Sequence, residues 1–203
     1  INKLIGIANE ERLQALVLTF FPHPRTIVQE DASIKLINTI DEKAGLMKSY
    51  GVDHLVVKEF TKEFSRLTAL EYVRDVLVNK LHVKHIIVGY DHHFGKNREG
   101  SFEHLKHYGP SYGFEVEEIP KQDINDVGVS STKIRTALAQ HQIAIANQYL
   151  GYPYAMEGIV VKGDQIGRSI GFPTANIQIQ ESHKLIPADG IYAVHIERKS
   201  QTY

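Results

Sequence analysis

Four stretches of the chain collect residue types able to handle phosphate. VSSTKIR, residues 129–135, sets the hydroxyls of Ser130, Ser131 and Thr132 at the start of a helical pattern, with Arg135 one turn in. Free N–H groups, hydroxyls and a guanidinium at a helix N-terminus suit phosphate oxygens. A Ser/Thr N-cap followed by a surface Arg is the plain structural alternative. VGYDHHFG, residues 88–95, is followed by Lys96, Arg98 and Gly100, and places Asp91, two imidazoles and two cations in a glycine-bounded loop. Such a loop after a buried strand is where α/β proteins bind ligands, although a solvated connector has the same composition. GDQIGRSIG, residues 163–171, with Gly167 and Arg168 at its centre, runs into FPTAN, residues 172–176. Residues two apart in an extended segment share a face, so the oxygens of Thr174 and Asn176 can meet one Mg²⁺ or phosphate. A glycine-rich hairpin with capped turns is the alternative there. PHPR, residues 22–25, presents His23 and Arg25 from a loop stiffened by two prolines, which can also be no more than a turn.

Composition narrows the function classes. The 203 residues hold 23 Lys+Arg against 24 Asp+Glu, a formal net charge of -1, so there is no basic surplus of the kind that phosphate-backbone binding needs. Nucleic acid is not an expected partner. No window approaches the 18 apolar residues of a spanning helix, and the opening INKLIGIANEER is no signal peptide, so no membrane is expected and a cytoplasmic location is. The absence of cysteine removes disulfides, thiolate metal sites and cysteine nucleophiles. Six histidines fall between residues 82 and 107, but no HExxH or similar ligand set appears among them, and a histidine metal centre is not expected.

The elements that must position these groups follow from periodicity. Residues 1–13 have helical spacing, and ALVLTF, residues 15–20, reads as a strand buried on both faces, ending in the PHPR loop. Thr39 and Glu42 have the form of a capping box, predicting a helix over about 40–50 that stops at Gly51. Residues 54–57 read as a strand, Thr68 and Glu71 open a second capped helix, and residues 85–88 form another strand. A helix over 101–109 and a strand over 114–119 continue the alternation, which argues for a doubly wound parallel sheet with ligands at the carboxyl ends of its strands. From GYPY, residues 151–154, the chain becomes glycine-punctuated and β-rich, so a domain over 1–150 is expected to give way to a second over 151–203. GIYAVHI, residues 190–196, is its clearest strand. About 50 residues cannot readily bury their own core, and both ends of the chain read as cut.

VLTFFPHPR, VGYDHHFGKNREG, SSTKIR, GYPY, GRSIGFPTANI and IPADGIYAV occur in this order. On these motifs the sequence closely resembles the bacterial bifunctional riboflavin kinase/FMN adenylyltransferases, or FAD synthetases, from about residue 2 onward. The resemblance implies an α/β, Rossmann-like nucleotidyltransferase domain with a parallel sheet, followed by a partial β-barrel riboflavin kinase domain. It implies phosphorylation of riboflavin to FMN and adenylylation of FMN to FAD, with ATP and Mg²⁺. Ser130, Ser131, Thr132 and Arg135 would then hold the triphosphate, and His23 and Asp91 would line the flavin and nucleotide sites. Gly167 and Arg168 would belong to the phosphate cradle of the kinase, and Thr174 and Asn176 would be its metal ligands.

The departures from the family pattern matter as well. Its G-x-F-D-G-x-H-x-G-H signature would precede Ile1, and the general-base Glu of its kinase would follow Tyr203, so neither catalytic element is in these 203 residues. Some members have Asn where Asp91 stands. Two alternatives follow: a flavin- or nucleotide-binding fragment without catalysis, and an adenylyltransferase for another substrate, a mononucleotide such as nicotinate mononucleotide, or phosphopantetheine. The second alternative has no use for the GFPTAN segment.

Overall fold

The computed structural model describes residues 1–31, 33–120, 123–124, 127–198 and 201–202. By packing, the chain separates into two units, Ile1–Gly128 and Val129–Tyr203.

The first unit is built from two parallel strand pairs, each closed by helical crossover chain. Helix α1 (Asn2–Glu11) ends where Arg12 turns left-handed at φ 56°. Strand β1 (Leu16–Phe21) pairs with β2 (His54–Glu59) in a parallel register running from Leu16 opposite His54 to Phe21 opposite Glu59. Parallel neighbours need a crossover, here a short α2 (Pro24–Val28) and then α3 (Ile40–Ser49). The predicted capping box starts α3: the Glu42 N–H donates to Thr39 Oγ1 at 3.1 Å and the Thr39 N–H to Glu42 Oε2 at 2.9 Å. At its far end Gly51 takes φ +83°, and the Val52 N–H returns to the Met47 carbonyl at 3.0 Å. The His54 N–H then reaches the Ala15 carbonyl at 3.0 Å, and the Ala15 N–H donates to Asp53 Oδ2 at 2.8 Å, tying the amino ends of β1 and β2 together.

The second pair is β3 (His85–Gly89) with β4 (Glu115–Ile119), in parallel register from His85 opposite Glu115 to Gly89 opposite Ile119. Between β2 and β3, a capping box of Thr68 and Glu71 opens α4 (Ala69–Glu71), which continues as a π-helix over Tyr72–Val78. That segment buries Tyr72, Val73, Val76 and Leu77 against Val88, Phe94, Leu105 and Phe114, forming the core. Helix α5 (Phe102–Tyr112) bridges β3 and β4 and runs past Pro110, three residues beyond its expected end. A Cβ on Gly109 would lie 2.7 Å from the Phe114 carbonyl oxygen, so the return of the chain into β4 requires glycine there. A short antiparallel pair, β5 (Asp123–Ile124) and β6 (Val127–Gly128), follows.

Two expectations change. The strands of the first unit form two separate parallel pairs among the described residues, rather than one doubly wound sheet. With one paired edge, β1 is half-buried along its whole length instead of buried on both faces.

In the second unit, α6 (Ser131–Ala139) and α7 (Ile143–Leu150) pack through Ile134, Ala137, Leu138 and Ala146, all buried. Strand β7 (Ile159–Val161) pairs antiparallel with β8 (Asn176–Gln178) around the short helix α8 (Ile166–Ser169), and β9 (Glu197–Arg198) pairs with β10 (Gln201–Thr202). Lys184, 2% exposed, is held by the Ala155 carbonyl at 2.8 Å and by the ring of Tyr154, 4.5 Å from its centroid. The strand expected at 190–196 does not form: no backbone pairs with it among the described residues, and Val194 is 66% exposed. A period-two pattern makes a strand only where a neighbouring ladder accepts it.

Leu105 is 1% exposed at the centre of the first core. Leu105→Ala is expected to lose about 2–5 kcal/mol of stability, read from urea denaturation of the first unit's transition.

Candidate functional site

The carboxyl end of β1 delivers His23. The expected PHPR loop is instead a helix start: His23 is the N-cap of α2, Pro24 follows at its first helical position, and His23 Nδ1 accepts the Arg25 N–H at 3.2 Å. Proline's fixed φ and missing N–H fit that position, where no intrahelical donor is needed. The carboxyl end of β3 delivers Asp91, exposed in a turn and folded back so that its Oδ1 lies 3.6 Å from where a Cβ on Gly89 would sit. The remainder of this loop is anchored. Phe94 exchanges backbone hydrogen bonds with Gly100, at 3.1 and 2.8 Å. Gly95 has φ +72° and approaches α4 so closely that a Cβ would meet the Ala69 nitrogen at 2.8 Å.

His92 is half-buried, and its ring stacks on Phe94 with centroids 5.8 Å apart and planes at 26°. Burial, and then the neighbouring His93, hold its pKa below the ordinary value of 6.5. Phe94 in turn contacts Tyr72, whose hydroxyl is pushed up to about 12 by burial. Tyr72 continues to Phe64, Phe20 and Phe60 through centroid separations of 5.5 to 6.1 Å. Lys58 Nζ lies 5.2 Å from the Phe64 ring centroid. Sequence reasoning missed this aromatic run, which follows the carboxyl ends of β1 and β2. Its available signal was Phe60 and Phe64 four residues apart, immediately after an apolar strand.

The second unit holds the remaining predicted residues in two places. Ser130 is the N-cap of α6, its Oγ accepting the Lys133 N–H at 3.3 Å, and Ser131 and Thr132 follow in the first turn, both exposed. Arg135 is half-buried one turn further along. This start of a nine-residue helix carries hydroxyls and first-turn N–H groups that have no intrahelical partner, with the positive end of the helix dipole behind them, a setting that favours an oxyanion.

The glycine loop and the TAN segment meet directly. A Cβ on Gly163 would sit 2.1 Å from Asn176 Nδ2, and one on Gly167 would sit 2.2 Å from the Phe172 carbonyl oxygen and 3.2 Å from Thr174 Oγ1. The Phe172 N–H closes the turn on the Gly167 carbonyl at 2.7 Å. Asn176 thus packs on Gly163, and Thr174 on Gly167. Arg168 is exposed on α8 beside it. Hydroxyl and amide oxygens are hard donors, the type that Mg²⁺ prefers.

Among the described residues, the His and carboxylate group with metal-compatible spacing is Glu11, His85 and Glu115, at the amino ends of β3 and β4. It does not include the other five histidines between residues 82 and 107.

Crossover-linked parallel strand pairs among helices, followed by short antiparallel ladders, define the class: a mixed α/β protein. The chain belongs to the FAD synthetase family, whose profile matches residues 1–133. The riboflavin kinase profile matches residues 150–203. The bifunctional riboflavin kinase/FMN adenylyltransferase of Listeria monocytogenes is 41% identical over 97% of this chain, and that of Escherichia coli K12 is 37% identical over 95%. This chain spans 62% of the length of both relatives. A crystal structure described as a macrolide-efflux protein from Streptococcus pneumoniae superposes with a TM-score of 0.88 at 30% identity, covering 100% of this chain and 66% of that one. No helix among the described residues is long and apolar enough to cross a membrane.

Because the His92 pKa is lowered, the unfolded chain binds its proton more readily than the folded one. Its contribution is therefore full above about pH 6.5 and is lost as the pH falls toward the lowered folded value. Between pH 7 and pH 5 the melting temperature is expected to fall further in the parent protein than in His92→Phe, which keeps the ring contact with Phe94. A His92 NMR titration midpoint below 6.5 accompanies that result, whereas equal falls in both proteins contradict it.

Proposed function

We propose that the protein from which this chain comes makes FMN and then FAD, using separate groups for the two phosphate transfers. The observation that carries this reading is the close packing of Gly163 and Gly167 on Asn176 and Thr174, within a chain whose first 133 residues match the FAD synthetase profile. On this reading, residues 1–150 form a Rossmann-like adenylyltransferase domain, and residues 151–203 belong to a β-barrel riboflavin kinase domain. ATP, riboflavin and FMN are its small-molecule substrates.

In adenylyl transfer the FMN phosphate attacks the α-phosphate of ATP and pyrophosphate leaves, so no covalent enzyme intermediate is needed. The protein's task is positioning and charge neutralisation. Ser130, Ser131, Thr132 and the N–H groups of the first turn of α6 would hold the triphosphate, with Arg135 supplying a full charge. His23 and Asp91, at the carboxyl ends of β1 and β3, would line the flavin and nucleotide sites. The half-buried rings of Phe20, Phe60 and Phe64 offer an apolar wall suited to a flat aromatic ligand.

For riboflavin phosphorylation, Gly163, Gly167 and Arg168 would cradle the ATP phosphates, and Thr174 and Asn176 would supply oxygen ligands to Mg²⁺. The ion, when bound, neutralises charge on the transferred phosphoryl group. Glycine is needed at 167, where a Cβ would meet the Phe172 carbonyl, and at 163 a Cβ would push the Asn176 amide aside.

Paired assays on the full-length protein test this division. Thr174→Ala is expected to abolish most FMN formation from riboflavin while FAD formation from supplied FMN stays near normal. If Thr174 serves only to shape the turn, kinase turnover and its Mg²⁺ dependence stay close to the parent's. Arg135→Ala is expected to lower FAD formation about ten- to hundredfold, the loss of one charge-assisted phosphate contact, with riboflavin phosphorylation spared. Equal losses in both reactions would remove the assignment of Arg135.

A further inference from the structure

Lys43 is a half-buried cation that the reactions above do not use. It is the fourth residue of α3, directly after the turn that holds Asp41 and Glu42. The Glu42 carboxylate is engaged with the Thr39 N–H in the capping box. Lys43 instead reaches the strand, where its Nζ donates to Thr19 Oγ1 at 2.9 Å. Burial holds its pKa below the ordinary lysine value. Among the described residues no carboxylate forms an ion pair with it.

Two unfavourable terms meet on this amine. A desolvated charge costs free energy unless it is paired, and a cation near a helix N-terminus opposes the helix dipole. One neutral hydroxyl offsets little of either. Binding of an anion would offset both, and a perturbed titratable group at a ligand-binding edge is a functional signal in its own right.

Its position is fixed by the crossover. The far end of α3 leads through Val52 to the hydrogen bond between His54 and Ala15, at the amino end of β1. The start of α3 therefore lies toward the carboxyl end, and Thr19 is two residues before Phe21, where β1 finishes. His23 is two residues further on.

We infer that Lys43 is a phosphate-binding residue for adenylyl transfer: its ammonium, held against Thr19, receives a phosphate oxygen of the substrate seated at the carboxyl end of β1. This rests on the adenylyltransferase reading above. The oxygen belongs either to the nucleotide triphosphate or to the flavin phosphate, which share the chemistry and differ in the kinetic constant they govern.

The test uses the full-length protein with Lys43→Met and Lys43→Arg, assaying FAD formation from FMN and ATP from neutral pH up to the alkaline limit at which the parent stays folded. Lys43→Met is expected to lose about ten- to hundredfold in kcat/KM, with riboflavin phosphorylation by the same preparation within twofold of the parent. A raised KM for ATP assigns the contact to the triphosphate, and a raised KM for FMN assigns it to the flavin phosphate. Parent activity is expected to fall as the pH rises through the lowered amine pKa. Lys43→Arg, whose guanidinium stays charged, is expected to recover most of the activity and to lose that alkaline fall. FAD formation by Lys43→Met within threefold of the parent overturns the inference. So does an alkaline fall unmoved in Lys43→Arg, which is what a purely structural amine would give. A parent protein that forms no FAD at all refutes the adenylyltransferase reading instead.

Discussion

Parallel pairing is the constraint from which the first unit's arrangement follows. A parallel strand cannot turn directly back on its neighbour, so the chain must leave one edge and travel the length of the pair before it pairs again. The latch of Ala15 with Asp53 and His54 fixes where α3 returns at the amino end. The same geometry places the exits from β1 and β3, and with them His23 and Asp91, at the carboxyl end. Lys43 is drawn toward that end because a helix that returns at the amino edge must begin near the other one.

Glycine performs the corresponding task in the second unit. At Gly167 the Phe172 carbonyl leaves no room for a Cβ, and the Asn176 amide packs directly on Gly163. Thr174 and Asn176 are exposed, and only Asn176 is held by a ladder, at the start of β8 opposite Val161, so the placement of Thr174 depends on this loop more than on burial. The loop after β3 uses the same device once, where Gly95 comes against Ala69 with a positive φ.

Much of this was legible in the sequence because the signals are local. Both capping boxes, at Thr39 and Thr68, announce helix starts through side chains three residues apart, and both form. The VSSTKIR pattern gave the start of α6 at Ser130 for the same reason. What failed depends on partners distant in sequence. Residues 190–196 alternate as a strand should, yet alternation does not name the backbone that would pair with them. The π-helix over Tyr72–Val78 has the same apolar spacing as an α-helix, and the two strand pairs of the first unit carry the same apolar runs that one continuous sheet would. Lys43 was invisible for a related reason, since a lysine in a helix reads as solvated until its distance to Thr19 is known.

On the proposed function, one protein carries riboflavin to FAD through two separable phosphate transfers. The most direct measurement is a time course of the full-length protein with riboflavin, ATP and Mg²⁺, following riboflavin, FMN and FAD by chromatography. FMN is expected to rise first and then to be consumed as FAD appears, and FMN supplied from outside is expected to give FAD without a lag. Unchanged riboflavin, or FMN that accumulates and is never adenylylated, would contradict the proposed function.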